Sequence, residues 1–274
     1  MNLDFQNLYK NIDKIINGPV IDLSQLELHP WSIVMTRLLL IERMENSDKK
    51  LILPKDSQTK SYLKRMRFDK ILSELGYEEE KNILDSVSTP TIENLNIQEI
   101  LHCFYRDEFN ARLDRFISMF ETFGLDQNEA QRATSIVGEL GNNVFDHNLG
   151  NWPTRISGCI ISAQHYPSLQ KIYIAVGDPG VGFFGSLKTA FPEIGNDVDA
   201  IKKGLAGNTG RIDEVRGNGL KLIQQWTIEN FSGCVMIHSG NGLVTVDKTG
   251  MKQYTVCRIL GTVAQFVINY SYRE

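Results

Sequence analysis

The stretch GELGNNVFDHN, residues 138–148, combines two opposing tendencies. Leu140 and Val144 stand one helical turn apart, and apolar residues precede them with the same period, which predicts an amphipathic helix. Residues 141–143 (Gly-Asn-Asn) nevertheless place three poor helix formers in the middle of that helix. These three residues therefore indicate a role other than helix stability.

Polar side chains of the same helix share one side. At about 100° per residue, four of them fall within an arc of roughly 100° beside the apolar stripe, namely Glu139, Asn143, Asp146 and His147. A carboxylate and a carboxamide one turn apart suit a site in which the amide oxygen binds Mg²⁺ and the carboxylate acts as a base. The alternative is a solvated helix face on which the asparagine has no further role.

A second motif is AVGDPGVGFFG, residues 175–185. Asp178 ends a predicted strand, and Gly180 and Gly182 follow without side chains that would block a close approach to the backbone. An aspartate in this position can accept a hydrogen bond from an exocyclic amine, such as that of adenine. A plain turn remains the alternative.

The same glycines fit two other nucleotide motifs less well. Gly180, Gly182 and Gly185 spell G-x-G-x-x-G after a strand, but that dinucleotide fingerprint needs a helix directly behind it and a further strand. Pro192 follows too soon for such a helix. A P-loop would need Lys and then Ser or Thr directly after Gly185, where this chain has Ser186 and Leu187.

A third motif is VRGNGLKLI, residues 215–223. Gly217 and Gly219 open a predicted helix, whose first backbone N–H groups are unpaired and form a suitable phosphate site. A flexible entry into a helix is the alternative. The polar, glycine-containing segment that precedes the motif, residues 186–216, has the composition of a mobile lid.

Composition and charge restrict the function classes. The chain has 274 residues and a formal net charge of −4, and its Lys and Arg residues are scattered apart from short clusters, so direct nucleic-acid binding is not expected. It contains neither an apolar run of about 18 residues nor a signal-peptide pattern, so a cytoplasmic protein without a membrane span is expected. The four widely spaced cysteines are predicted to be reduced, structural thiols.

Alternating strand and helix patterns predict a small α/β domain at residues 1–90. A helix near residues 3–17 is followed by strand-like GPVIDLS, helical HPWSIVMTRLLLIERME, strand-like KKLILP and a helix over residues 57–76. Residues 82–96 mix turn formers with few periodic apolar positions, which places the domain boundary there.

The second domain, residues 91–274, is predicted to be α+β. Residues 97–125 have the pattern of one long amphipathic helix broken at Gly124, and Asp126 with Glu129 forms a capping box for the next helix. Strand-like segments follow, with helices at DVDAIKKGLA and GNGLKLIQQWTIENF between them. Strands in hairpin succession and meander order predict a mostly antiparallel sheet in an α/β sandwich.

Taken in chain order, E-x-x-x-N-x-x-D-H, D-x-G-x-G and G-x-G-L resemble the GHKL ATP-binding domain. Histidine kinases, type II topoisomerases, a class of heat-shock chaperones, mismatch-repair ATPases and bacterial anti-sigma-factor serine kinases share this domain. The similarity covers roughly residues 120–270 and looks closest to the anti-sigma-factor branch, because His147 lies just beyond the E-x-x-x-N pattern. It implies a Bergerat-type two-layer sandwich that holds ATP and Mg²⁺ over one face of the sheet.

The resemblance also implies roles for single residues. Glu139 matches the family's general base, Asn143 its Mg²⁺ ligand and Asp178 its adenine-reading aspartate. Thr262 resembles a threonine on a late strand that supports the adenine through water. The other residues that match nucleotide-binding positions are Asp146, His147, Gly180, Gly182, Arg216, Gly217, Gly219 and Leu220.

The N-terminal part resembles the STAS domain of anti-sigma-factor antagonists, in the order strand, DLS, loop and apolar helix. That family carries a phosphorylated serine in an Asp-Ser pair at the junction of loop and helix. This chain has HPWS there, with Ser32 nearby but without the acidic neighbour. The two resemblances imply a regulatory protein partner and a homodimer.

Two functions follow from the GHKL resemblance. The first is a regulatory ATPase or a protein serine/threonine kinase that uses Glu139 as its base. The second is a non-catalytic module in which ATP orders the lid and switches a surface for a partner protein. A histidine autokinase is not favoured, because His102 lacks the acidic and proline neighbours of such a site and is predicted to be a core histidine.

Overall fold

A computed structural model of the chain describes residues 18–25, 29–45, 50–88, 97–148, 151–209 and 218–270. The helix expected near residues 3–17 lies outside the described residues. The strands are β1 (Ile21–Asp22), β2 (Leu51–Ile52), β3 (Ile97–Cys103), β4 (Cys159–Tyr166), β5 (Lys171–Asp178), β6 (Cys234–Ser239), β7 (Gly242–Asp247), β8 (Gly250–Thr255) and β9 (Thr262–Asn269). The helices are α1 (Pro30–Glu45), α2 (Ser57–Arg65), α3 (Phe68–Glu74), α4 (Glu78–Asp85), α5 (Arg106–Thr122), α6 (Gln127–Asn148), α7 (Gly182–Leu187), α8 (Asp197–Leu205) and α9 (Gly219–Gln225).

A seven-stranded antiparallel sheet organises the fold, with the strand order β3-β4-β5-β9-β6-β7-β8. Strands β6, β7 and β8 form the expected meander, but the last strand, β9, returns to lie between β5 and β6. Thr262 at the start of β9 is therefore the register partner of both Asp178 on β5 and Ser239 on β6. This insertion brings three polar residues from distant parts of the chain side by side. The α+β class and the antiparallel sheet are confirmed.

Helices α5 and α6 cover the first face of the sheet. The reciprocal capping box at the start of α6 is present: the Glu129 N–H donates to Asp126 Oδ1 over 2.9 Å, and the Asp126 N–H donates to Glu129 Oε2 over 3.0 Å. Farther along α6, a Cβ atom on Gly141 would lie 2.1 Å from the ring of Phe109 on α5. Gly141 therefore allows the two helices to pack closely.

The single long helix expected over residues 97–125 is wrong in its first part. Residues 97–103 form β3 at the edge of the sheet, and α5 begins only at Arg106. The register of β3 against β4 shifts between Gln98 and Leu101, so the strand lacks a regular two-residue alternation. Its apolar residues consequently fall at a spacing that imitates a helix, and pairing with β4 decides the outcome.

Three other expected elements have different limits. The helix over residues 57–76 is divided into α2 and α3 at Arg67, whose φ of 60° is left-handed. Residues 82–85, assigned to the boundary segment, belong to α4. The strand expected at QYTVCRIL is displaced toward the N-terminus, because β8 ends at Thr255.

The second face of the sheet is covered by the N-terminal part of the chain. Strands β1 and β2 form a separate parallel pair, and α1 packs across β4, β5 and β9. Trp31 and Val34 of α1 belong to one apolar cluster with Ile160, Ala175 and Val263 of the sheet. Residues on both sides of position 90 thus share one core, and the division into two domains stays a prediction.

Ser32, near the start of α1, is buried and hydrogen-bonded to the backbone of His29. Ser32 is 1% exposed, and its hydroxyl both donates to the His29 carbonyl and accepts from the His29 N–H over 2.9 Å. A kinase would need to open this part of the fold to reach that hydroxyl.

In the part of the chain that the structure describes, no helix has both the length and the apolar character needed to cross a membrane.

Candidate functional site

Two adjoining cavities open at the end of β5, between α6 and the short helices α7, α8 and α9. The deep cavity measures about 690 Å³ and the outer one about 1000 Å³, each including its mouth. The residues that line both cavities are Asn143, His147, Gly204, Asn208 and Leu220.

The deep cavity has mainly apolar walls and a few polar groups. It is lined by Leu140, Asn143, Val144, His147, Asn148, Val176, Asp178, Gly182, Phe183, Ser186, Leu187, Gly204, Asn208, Leu220, Ile237, Thr262 and Ala264. Such a lining suits a flat, mostly apolar ligand whose orientation is set by a small number of hydrogen bonds. Asp178 is the carboxylate among these groups.

Asp178 is 6% exposed, and two donors hold its carboxylate. The Gly180 N–H donates to Oδ1 over 2.9 Å, and Asn148 Nδ2 donates to the same oxygen over 3.0 Å. Burial raises the pKa of Asp178 to about 7, although both hydrogen bonds act in the opposite direction. Among the described residues, Oδ2 accepts no hydrogen bond, so this oxygen is available to a ligand in the cavity.

Glycines after β5 allow the loop to pass close to other groups. A Cβ on Gly180 would lie 2.1 Å from Asn148 Oδ1, and a Cβ on Gly182, whose φ is +71°, would lie 2.6 Å from Ser239 Oγ. Ser239 also accepts hydrogen bonds from the Phe183 N–H over 2.9 Å and from Thr262 Oγ1 over 3.0 Å. The loop is thereby fixed to the polar row of β5, β9 and β6.

The outer cavity is polar. It is lined by Arg106, Asn110, Glu139, Asn142, Asn143, Asp146, His147, Gly204, Asn208, Thr209, Gly219 and Leu220. The polar stripe expected on α6 therefore does face a cavity. Asn142, whose role the sequence left open, lies on the same wall.

Glu139 is exposed at the outer cavity and lies against the start of α9. A Cβ on Gly219 would be 2.5 Å from Glu139 Oε2, so a glycine is needed for this approach. Among the described residues, the Glu139 carboxylate makes no hydrogen bond or ion pair. It is therefore free to accept a proton from a molecule bound in the cavity.

Asp146 forms an ion pair with Arg106 at the start of α5. Arg106 is 41% exposed and brings a positive charge to the wall of the outer cavity. Sequence reasoning missed this residue because it assigned residues 97–125 to one helix, which left no reason to place Arg106 at a helix start. Tyr105, the residue before it, has an extended backbone, and α5 begins directly after this residue.

A serine and a histidine meet at the junction of the two cavities. Ser186 Oγ and His147 Nδ1 are 3.0 Å apart, and His147 lines both cavities. The sequence placed His147 in the site but not Ser186, which it considered only as a mismatch to a P-loop. The structure therefore adds a hydroxyl to the polar groups of the deep cavity.

Most of the expected site residues are brought together. Within the described residues, the lining of the two cavities includes Glu139, Asn143, Asp146, His147, Asp178, Gly182, Gly219, Leu220 and Thr262. Gly180 lies directly behind the wall, against Asn148. Arg216 and Gly217 fall outside the described residues, as does most of the segment between α8 and α9.

The dinucleotide fingerprint was rightly rejected. The short helix α7 begins at Gly182, inside the motif, and ends at Leu187, so only two helical residues follow Gly185. Strand β5 is antiparallel to both of its neighbours, β4 and β9, so it is not part of a βαβ unit. The fingerprint needs such a unit to present a phosphate to the helix.

His102 lies away from the cavities, in a buried network. Its Nδ1 accepts a hydrogen bond from Arg37 over 2.8 Å, and its Nε2 donates to the Ser157 carbonyl over 2.8 Å. Burial and the nearby Arg37 charge lower the pKa of His102 to about 3. Both ring nitrogens are therefore engaged and the ring is neutral, as a structural histidine requires.

The four cysteines are free thiols, and Cys103 and Cys159 face each other across β3 and β4. In the part of the chain that the structure describes, no three His, Cys, Asp or Glu side chains are close enough to hold a metal ion together.

Comparison of the sequence with protein-family models and with curated proteins finds no match in either. The functional interpretation therefore depends on the geometry of the cavities and on the sequence motifs.

Proposed function

We propose that this chain binds ATP with Mg²⁺ in the two cavities and belongs to the GHKL type of ATP-binding protein. The observation that carries the proposal is the position of Asp178, a buried carboxylate with one unoccupied oxygen on the wall of a mainly apolar cavity. An adenine ring matches this cavity, because its faces are apolar and its exocyclic amine is a donor. The outer cavity shares five lining residues with the deep one, so a ligand whose base fills the deep cavity has room for a ribose and phosphates beside it.

The outer cavity contains donors for a triphosphate. Arg106, which is paired with Asp146 but 41% exposed, brings a guanidinium group to its wall, and the amides of Asn110, Asn142 and Asn208 provide further donors. Mg²⁺ typically keeps several waters and takes one or two protein ligands plus phosphate oxygens. Asn143 would hold the ion, which would neutralise phosphate charge.

Glu139 is the base in the proposed reaction. Its exposed carboxylate accepts the proton of a water molecule, in an ATPase, or of a serine or threonine hydroxyl, in a protein kinase. Gly219 leaves the space that this carboxylate occupies at the outer cavity. Asn143, one turn farther along α6, faces the same cavity, so the proposed Mg²⁺ ligand lies next to the proposed base.

A non-catalytic switch is the second candidate. The cavity walls include Gly204, Asn208 and Thr209 on one side of the polar segment and Gly219 and Leu220 on the other. A ligand in the cavities would thus contact both ends of this segment. Ligand binding could favour one arrangement of it, which a regulatory partner protein, or a second copy of the chain, would recognise.

Nucleotide binding is the decisive experiment. We expect the wild type to bind ATP in preference to GTP, more tightly with Mg²⁺, when measured by titration calorimetry. Asp178→Asn replaces the acceptor by an amide of the same shape and should abolish the preference. If the wild type binds neither nucleotide, the proposed function is wrong.

Turnover separates the two candidate functions. Glu139→Gln keeps the size of the side chain beside Gly219 but removes the base, so Mg-ATP binding should be retained and turnover reduced by about 10²-fold or more. Phosphate release and phosphate transfer to added proteins are both measured. A wild type that binds ATP but shows neither reaction with any partner would support the switch instead.

A further inference from the structure

Asn148, the last residue of α6, is 3% exposed, and its side chain makes three hydrogen bonds. Its Nδ2 donates to the Val144 carbonyl over 2.9 Å and to Asp178 Oδ1 over 3.0 Å, and its Oδ1 accepts from the Val181 N–H over 2.9 Å. Both N–H bonds of the amide are therefore used within the protein. Asn148 has no donor left for a ligand in the deep cavity.

The orientation of this amide is set by its partners. One end of the amide faces the Val144 carbonyl oxygen and Asp178 Oδ1, which also accepts from the Gly180 N–H, whereas the Val181 N–H at the other end can only donate. Rotating the amide by 180° would place oxygen against oxygen and N–H against N–H. The arrangement thus has one stable form.

The loop after β5 is built against the same amide. A Cβ on Gly180 would lie 2.1 Å from Asn148 Oδ1 and 2.3 Å from Nδ2, so a side chain at position 180 would displace it. Asn148 therefore links the end of α6 to three features of the loop: the Asp178 carboxylate, the space at Gly180 and the Val181 N–H.

We propose that Asn148 is a positioning residue for ligand recognition, which holds Asp178 Oδ1 so that Oδ2 faces the deep cavity. This inference rests on the proposed function and adds a residue that the sequence motifs do not include. Asn148 acts through Asp178 and the loop, and makes no hydrogen-bond donation to the ligand itself.

The same contact also favours the ionised form of Asp178, because an N–H donor stabilises a carboxylate more than a carboxylic acid. An ionised Asp178 is the better acceptor for an exocyclic amine. Two other titratable groups are near: the Cys159 thiol on β4, whose own pKa is raised chiefly by burial, and His147 of α6 in the same cavity. Both are unchanged in the variants below, so comparison with the wild type isolates the contribution of Asn148.

Adenosine is a suitable probe, because it has no phosphate groups that titrate near neutral pH. We expect wild-type affinity for adenosine to rise as the pH is raised through about 7, where Asp178 ionises. Asn148→Ala should weaken binding about ten- to hundredfold at pH 7, the loss expected for a hydrogen bond to a charged group. It should also move the midpoint of the pH profile to higher pH. A loss that is equal at every pH would contradict the proposal.

Thr134→Ala provides the matched control. Thr134 is a buried polar residue of the same helix and does not line either cavity among the described residues. This variant tests whether any small cavity in α6 weakens binding. Its adenosine affinity and pH profile should equal those of the wild type.

Asn148→Asp is the second variant, in case the alanine variant does not fold. It keeps the shape of the side chain and the acceptor for Val181 but places a carboxyl group against Asp178. One proton shared by the pair restores a donor to Asp178, whereas two neighbouring charges in a buried site repel each other. Adenosine affinity of this variant should therefore fall as the pH rises, the reverse of the wild type. A profile parallel to that of the wild type would overturn the proposal.

Failure of this inference differs from failure of the proposed function. If the wild type binds no adenosine, ADP or ATP at any pH, the proposed function fails. If the wild type binds adenosine and both Asn148 variants keep its affinity and profile, nucleotide binding stands and the positioning role is wrong.

Discussion

Asp178 is a buried carboxylate whose ionisation the fold opposes. Burial raises its pKa to about 7, and the two donors to Oδ1 only partly compensate. The folded protein therefore holds a proton on this residue at pH values where the unfolded chain has lost it. Perturbed carboxylates of this kind cluster at functional sites. In the proposed function, the ligand donates the hydrogen bond that Asp178 Oδ2 lacks.

The pH dependence of stability should show this cost. Between the unfolded pKa, near 3.8, and the folded value, near 7, the native state binds the extra proton, so stability falls as the pH rises. Asp178→Asn removes the titrating group. On going from pH 4.5 to pH 8, the wild type should lose on the order of 3 kcal/mol of unfolding free energy more than the variant.

Urea denaturation at the two pH values measures this difference. Because both proteins share every other titrating group, the comparison cancels their contributions. Equal pH dependence in the two proteins would show that Asp178 ionises normally in the folded state.

The poor helix formers within α6 have different structural roles. Asn142 and Asn143 line the outer cavity, and Gly141 lies under the Phe109 ring, with 2.1 Å between the ring and an added Cβ. Gly138 is different, because a Cβ there would be 3.6 Å from Leu113, an ordinary contact distance. Two glycines three residues apart in one helix thus have different requirements.

Alanine substitutions at these glycines should have opposite effects. Gly141→Ala should destabilise the protein by about 1–3 kcal/mol, since the new methyl group must displace an aromatic ring in the packed core. Gly138→Ala should stabilise it by up to about 1 kcal/mol through helix propensity. Chemical denaturation of both variants is the measurement, and a shared sign would show that packing against α5 does not determine the role of Gly141.

At the scale of the whole molecule, the sheet has no free face in its central part. Helix α1 lies across β4, β5 and β9, and buries Ile160, Ala175 and Val263 on the side opposite α6. Burying large apolar side chains stabilises a fold by about 1.5–3 kcal/mol each. The N-terminal region therefore contributes to the same core as the strands that form the cavities.

A fragment of residues 91–274 should fail to fold alone. Removing residues 1–90 exposes the second face of the sheet as one apolar surface, which favours aggregation. We expect the fragment to be insoluble when expressed alone and soluble when residues 1–90 are co-expressed. A soluble fragment with cooperative unfolding would instead establish an independent domain that begins near residue 91.

Local patterns were sufficient for much of the molecule. The capping box at Asp126, the polar face of α6 and the Asp178 turn are determined within a few residues of chain, because helix caps and periodicity depend on near neighbours. The antiparallel α+β class follows from strand-like segments in hairpin succession. These features were predictable from sequence.

Tertiary structure alone decided the rest. The apolar residues of β3 have a helical spacing, but the segment forms a strand because it pairs with β4. Helix α5 therefore begins after this strand, with Arg106 at the wall of the outer cavity. The insertion of β9 between β5 and β6 aligns Thr262 with Asp178 and Ser239. Asn148 gains its role from a loop thirty residues away. Such contacts depend on packing between distant segments, and local sequence carries no signal for them.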